Sequence, residues 1–89
     1  MARLYTFTPS AWEDYVYWQG QDKKTLKRIN ALIDAIIREP FTGIGKPEAL
    51  RGDLTGCWSR RIDDVNRIVY QVNGSELKIL TCRFHYSDK

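Results

Sequence analysis

Apolar residues recur along this chain first at every second position, then at every third or fourth, then at every second again. In residues 2–7 the alternation around Leu4, Tyr5 and Phe7 predicts a short strand, stopped by Thr8-Pro9-Ser10. A helix is expected from about Pro9 to Gly20. Its cap is either Thr8 or Ser10, whose hydroxyls can accept from the orphan amides of the first turn, and Glu13-Asp14 suit its positive end. Ala11, Trp12, Tyr15, Val16 and Trp18 give it a broad apolar face, so its aromatics read as core rather than as a platform for stacking bases. Asp22 is the expected cap of a second helix, in which Leu26, Ile29, Leu32, Ile33, Ile36 and Ile37 repeat at three and four residues up to Pro40. Lys23, Lys24, Lys27 and Arg28 lie on its opposite face, which by default is solvated.

From Pro40 to Gly56 the pattern breaks around Gly43, Gly45, Pro47, Gly52 and Gly56 into an irregular segment too long for a mere connector, and such loops tend to carry function. Three strands are then expected, over about Cys57–Asp63, Arg67–Val72 and Glu76–Tyr86. Asn73-Gly74 marks the last hairpin, because both residues tolerate positive φ. The order β-α-α-loop-β-β-β predicts an α+β fold, with two N-terminal helices packed on one face of a mainly antiparallel sheet of four to five strands.

Strand side chains alternate between faces, so parity sorts the last three strands into two surfaces. The even positions Ile62, Ile68, Tyr70, Val72, Leu80, Cys82 and Phe84 form an apolar set expected to rest on the helices. The odd positions include Arg61, Arg67, Arg83 and His85, which would share the open face. Arg60 is an exception among the even positions and is expected near an edge.

Composition narrows the picture. The 89 residues match the size of one small domain (1–89), with room for one core and one active surface. Apolar runs such as Ala35-Ile36-Ile37 are too short to span a bilayer, and Met1 to Thr8 lack a charged start followed by a long apolar stretch, so a cytoplasmic location is expected. Cys57 and Cys82 fit neither a redox pair nor a metal spacing and are expected as buried, reduced thiols; no metal and no cofactor is expected. A net charge of +3 points to a polyanionic partner.

Like charges gathered on one sheet face repel, and a bound anion relieves that repulsion. Guanidinium forks pair bidentately with phosphate and suit the extra negative charge of a pentacoordinate phosphorus. The irregular segment supplies a carboxylate, Glu48, which is expected to face outward with Arg51 while Leu50 anchors the segment in the core. A carboxylate and an imidazole flanking arginines suit RNA transesterification: Glu48 takes the proton of a ribose 2′-hydroxyl, and His85 protonates the departing 5′-oxygen. Each transfer contributes roughly 10²–10⁴ in rate.

The strings Gly45-Lys46-Pro47-Glu48-Ala49-Leu50, Leu54-Thr55-Gly56-Cys57-Trp58-Ser59-Arg60-Arg61-Ile62, Arg67-Ile68-Val69-Tyr70 and Cys82-Arg83-Phe84-His85-Tyr86 together resemble the YoeB-type toxins of the RelE superfamily. The likeness extends upstream through Trp12 to Gln19 and Ile29 to Ile33, covering nearly the whole chain in matching order. It implies a microbial-ribonuclease-like (RelE) fold and a toxin that cleaves messenger RNA in the ribosomal A site. It also implies a neutralising, acidic and partly disordered antitoxin of the YefM kind, and homodimers are within the family's repertoire. Position by position, the resemblance implies Glu48 as general base, His85 as general acid and Arg61 and Arg67 as stabilisers of the transition state. Lys46 and Arg51 would contact RNA or phosphate, and Tyr86 would orient the substrate. Arg83 is placed on the active face by parity but has no catalytic role in the family pattern, which leaves it a structural or RNA-binding one. Ser87-Asp88-Lys89 follow Tyr86, where family members often end.

Two other readings compete. One is a non-catalytic toxin of the ParE branch, acting on a topoisomerase such as DNA gyrase, against which the presence of both Glu48 and His85 argues. The other is a generic RNA-binding module with Trp12, Trp18 and Trp58 stacking bases.

Overall fold

The computed structural model describes residues 4–84. Its first strand, β1 (Leu4–Phe7), leads through Thr8 into α1 (Pro9–Gln21). Of the two candidate caps it is Thr8 that serves: its hydroxyl accepts from the Ala11 amide at 3.1 Å and donates to the Leu80 carbonyl at 2.7 Å, so the cap also ties the helix start to the sheet. Asp22 ends α1 and begins α2 (Lys23–Arg38). Its amide donates to the Trp18 carbonyl, while its carboxylate accepts from the amides of Lys24 and Thr25 at 3.1 and 3.2 Å. Ile29, Leu32 and Ile36 form the buried stripe of α2, as the spacing predicts. The apolar face of α1 is narrower than expected. Ala11 and Trp18 are buried, but Val16 is exposed and Trp12 is 53% exposed, lying edge-on to Phe7 and stacked on Tyr15.

Within the irregular segment a two-residue strand forms, β2 (Glu48–Ala49), followed by a single 3-10 turn at Gly52–Leu54. Then come β3 (Trp58–Arg61), β4 (Arg67–Asn73) and β5 (Glu76–Thr81), the last two joined at Asn73-Gly74 as predicted. The sheet order is β1-β5-β4-β3-β2, with β1 parallel to β5 and every other pair antiparallel. Two helices thus cover one face of a mainly antiparallel five-stranded sheet.

Parity holds in β3 and β4, where Ile62, Ile68, Tyr70 and Val72 join Ile29, Leu32 and Ile36 in the main core. It fails in β5. Tyr70 faces Ile79 but Val69 faces Thr81, so one extra residue, Leu80, is inserted into the ladder. Before this bulge the helix side is taken by the odd residues Leu77 and Ile79; beyond it Cys82 returns to the core. Leu80, expected against the helices, instead packs on the opposite face with Val69, Cys57, Leu50 and Leu54 in a second, smaller core. Leu50 does anchor its segment, in that second core. Among the described residues strand pairing stops at Thr81, and Cys82 to Phe84 of the expected strand fall outside it. From there the Cys82 amide bonds the Asp14 carboxylate at 3.0 Å, and Phe84, expected inside, is exposed with φ 63°.

Candidate functional site

Register alone gathers the site. Across the β2–β3 ladder Glu48 stands opposite Ser59, and across β3–β4 Arg61 stands opposite Arg67. Cross-strand partners share a face, and residues two apart on one strand do too, so Glu48, Ser59, Arg61 and Arg67 all project from the side away from the helices. They line a cleft of about 290 Å³ together with Lys46 and Pro47. Three cations and one carboxylate in one open concavity leave it net positive, suited to a phosphodiester. Alternation gives Ser59 the same parity as Arg61. The sequence reading passed over it because it carries no charge, although it sits buried at the cleft's floor, between carboxylate and guanidinium.

The wall opposite β3 depends on a backbone that only glycine permits. Gly45 has φ 83°, and a Cβ there would lie 2.8 Å from a Leu32 methyl and 3.2 Å from the Arg61 carbonyl. That close approach lets the Gly45 carbonyl accept from the Arg61 amide at 2.6 Å. Lys46 follows with φ 53°, then Pro47 and Glu48, so the chain turns sharply into the cleft wall.

The turn between β3 and β4 fixes the other end. The Asp63 carboxylate accepts from the amides of Val65 and Asn66 at 2.8 and 2.7 Å and from the Asn66 side chain. Burial alone would raise the Asp63 pKa, but these hydrogen bonds and the charge of Arg67 outweigh it and hold the carboxyl below its ordinary value. The Arg67 guanidinium donates to the carbonyls of Asp63 and Asn66 at 3.1 and 3.2 Å, which orients it along the turn. Phe84 is bracketed there: its amide donates to the Asn66 side-chain oxygen at 2.6 Å and its carbonyl accepts from the Arg67 amide at 3.0 Å.

Of the expected site residues, the structure brings together Lys46, Glu48, Arg61 and Arg67. Arg51 does not line the cleft; it is exposed at the start of the Gly52–Leu54 turn. Arg83 departs from its parity assignment. Because pairing has ended at Thr81, alternation no longer governs it, and its guanidinium stacks 3.5 Å from the centre of the Tyr17 ring of α1 and 4.4 Å from that of Phe84. His85 and Tyr86 lie outside the described residues. Arg60, expected near an edge, is instead fully buried between the sheet and the 39–44 segment. Trp18 gives its indole N–H to the Cys82 carbonyl at 2.8 Å, and Trp58 is half-buried against Phe41, so neither is presented for stacking on a base.

Comparison with known proteins gives this geometry a family. The model of the YoeB-like toxin of bacterial type II toxin-antitoxin systems matches residues 7–86. Toxin YoeB of Streptomyces coelicolor is 57% identical over 81 residues, which is 91% of this chain and 96% of that protein. Among solved structures, the heterotetrameric YoeB-YefM toxin-antitoxin complex of Staphylococcus aureus aligns with a TM-score of 0.87 at 50% identity, covering 96% of this chain and all of the other. The Staphylococcus aureus YoeB dimer aligns with a TM-score of 0.89 at 47% identity, covering 97% and 100%. The chain, with its two helices on a RelE-like sheet and its basic cleft around Glu48, belongs to the YoeB toxin family of type II toxin-antitoxin systems.

Proposed function

We propose that the protein is a ribosome-dependent endoribonuclease, a toxin that cuts messenger RNA in the ribosomal A site without a metal and so stops translation in the cytoplasm. The observation that carries this reading is the register that sets the Glu48 carboxylate on the same side of the sheet as the Arg61–Arg67 pair, in one open cleft. Glu48 accepts the proton of a ribose 2′-hydroxyl. The freed oxygen bonds to the adjacent phosphorus, the bond from phosphorus to the 5′-oxygen breaks, and a 2′,3′-cyclic phosphate forms. Arg61 and Arg67 hold the charge that builds on the phosphorane oxygens. His85 gives its proton to the departing 5′-oxygen; support for it comes from Phe84, its neighbour in the chain, whose carbonyl is bonded to the Arg67 amide. Tyr86 orients the nucleotide, and Lys46 and Arg51 meet the RNA backbone on either side of Glu48. Arg83, stacked on the rings of Tyr17 and Phe84, has a structural role.

The partners follow from the relatives. A YefM-like antitoxin, acidic and partly disordered, neutralises the toxin by covering its basic face, and a homodimer is the expected free form. The test is a reconstituted translation system in which message ends are mapped for wild type, Glu48→Ala and His85→Ala. Cuts in phase with codons that need ribosomes and vanish in both variants are expected. Intact message with a stalled supercoiling reaction would overturn the reading in favour of a gyrase-directed toxin.

A further inference from the structure

Arg60 takes no part in lining the cleft, yet it organises more of the irregular segment than any residue within that segment. Its Nε donates to the Tyr70 hydroxyl at 3.2 Å, its Nη1 to the Ile44 carbonyl at 3.1 Å, and its Nη2 to the carbonyls of Thr42, at 2.8 Å, and Glu39. Tyr70 in turn donates to the Pro40 carbonyl at 2.6 Å. One guanidinium and its phenol partner thus satisfy the carbonyls of residues 39, 40, 42 and 44, a stretch with no helix or strand of its own. These are neutral oxygens: the cation is solvated inside the protein by backbone dipoles, as water would solvate it outside.

The neighbouring residue, Arg61, points the opposite way. Its side chain lines the cleft, and its amide holds the Gly45 carbonyl at 2.6 Å. The Arg60 Cβ lies 3.1 Å from where a Gly45 Cβ would stand, so the two contacts meet at one peptide. Lys46, Pro47 and Glu48 are the next three residues. We propose that Arg60 is a positioning residue of the cleft: by fastening the 39–45 segment onto β3 from beneath, it sets Lys46 and Glu48 against Arg61 and Arg67. This inference rests on reading the cleft as a ribonuclease site. Lysine cannot replace it, because an ammonium offers its donors from one point whereas the planar fork reaches acceptors on two sides at once.

The test assays Arg60→Lys and Tyr70→Phe, each in the wild-type and in the Glu48→Gln background, on programmed ribosomes, with melting curves and amide exchange alongside. Arg60→Lys is expected to keep a cooperative melt and a KM within about threefold of wild type. Its kcat should fall by about 10²-fold, the usual effect of misplacing a reacting group by an ångström. Because both changes disable the same proton transfer, Arg60→Lys should add little to Glu48→Gln. The Arg61 amide should exchange faster, since its acceptor at Gly45 is loosened. A folded Arg60→Lys with full kcat, or one with the same fractional loss in both backgrounds, overturns the proposal. Should Arg60→Lys not fold, Tyr70→Phe decides: it removes the Nε acceptor and the Pro40 donor but leaves the bonds to Thr42 and Ile44. A smaller kcat loss, absent in the Glu48→Gln background, supports the proposal, and full activity overturns it. If the wild type cuts no message, the ribonuclease reading has failed separately. Exchange at Arg61 then decides alone, and unchanged protection in Arg60→Lys sinks the positioning role.

Discussion

Arg61 and Arg67 stand directly opposite one another across the β3–β4 ladder, a like-charge cross-strand pair on an open face. Such pairs destabilise a sheet. Arg67 is partly relieved by the carbonyls of Asp63 and Asn66, which leaves Arg61 the cleaner site to test. Arg61→Gln is expected to stabilise the protein by about 0.5 kcal/mol while lowering cleavage at least tenfold, a trade of activity against stability. Thermal melts at low and high salt check it. The gain should shrink as salt screens the repulsion, and a lowered melting temperature at low salt would refute it.

Three glycines separate space from backbone strain. Gly45→Ala meets Leu32 at 2.8 Å and needs φ 83°, so a loss of about 2–4 kcal/mol is expected together with loss of cleavage. Gly52→Ala has the strained φ of 65° but open space, and should cost about 1 kcal/mol. Gly20→Ala, in α1 with nothing nearby and no positive φ, should stabilise by about 0.5–1 kcal/mol. Urea titrations rank the three, and any other order contradicts the account.

Among the described residues, two carboxyls sit below their ordinary range: Asp22 through hydrogen bonds from the Thr25 side chain and amide, and Asp63 through the turn it closes. In both the folded pKa lies below the unfolded one, so the stability each contributes is present above the unfolded value of about 4 and is lost as pH falls through the folded value. The urea midpoint should therefore drop below about pH 4, and Asp63→Asn should flatten that acid limb. A slope unchanged by the substitution would remove Asp63 from the explanation.

Asp14 behaves in the reverse sense. Burial raises its pKa, only partly offset by the Cys82 amide and the Arg83 charge, so its neutral form is the one folding prefers. Asp14→Asn should be tolerated at neutral pH, since it keeps an acceptor for the Cys82 amide and removes a half-buried charge. Asp14→Ala strips the acceptor and should cost about 1–3 kcal/mol. Next to it the Cys82 thiol is pushed up to about 12, by burial first and by Asp14 second. Iodoacetamide at mildly alkaline pH should leave Cys82 unmodified until denaturant is added, and rapid labelling of the native protein would contradict its burial.

How much of this was legible in the sequence depends on which forces are local. The helices and the Asn73-Gly74 hairpin follow from spacing, capping and turn chemistry, all read within a few residues. Parity correctly placed Arg61 and Arg67, because β3 and β4 run without interruption. It misassigned Leu80 because a bulge leaves no mark in hydrophobic alternation when both faces of the strand are covered. It misassigned Arg83 because a strand's end is set by competing partners, here Asp14 and Trp18, far away in sequence. Arg60 was expected at an edge because charge argues for exposure. Its burial needs carbonyls from 16 to 21 residues upstream, which no local pattern announces.

The bracket around Phe84 has a mechanical meaning. The hairpin tip at Asn66 and the peptide of Arg67 hold that residue from both sides, through bonds of 2.6 and 3.0 Å. A displacement of Phe84 therefore reaches the Arg67 peptide, and with it the anion-binding pair, through a single hydrogen bond and without passing through either core.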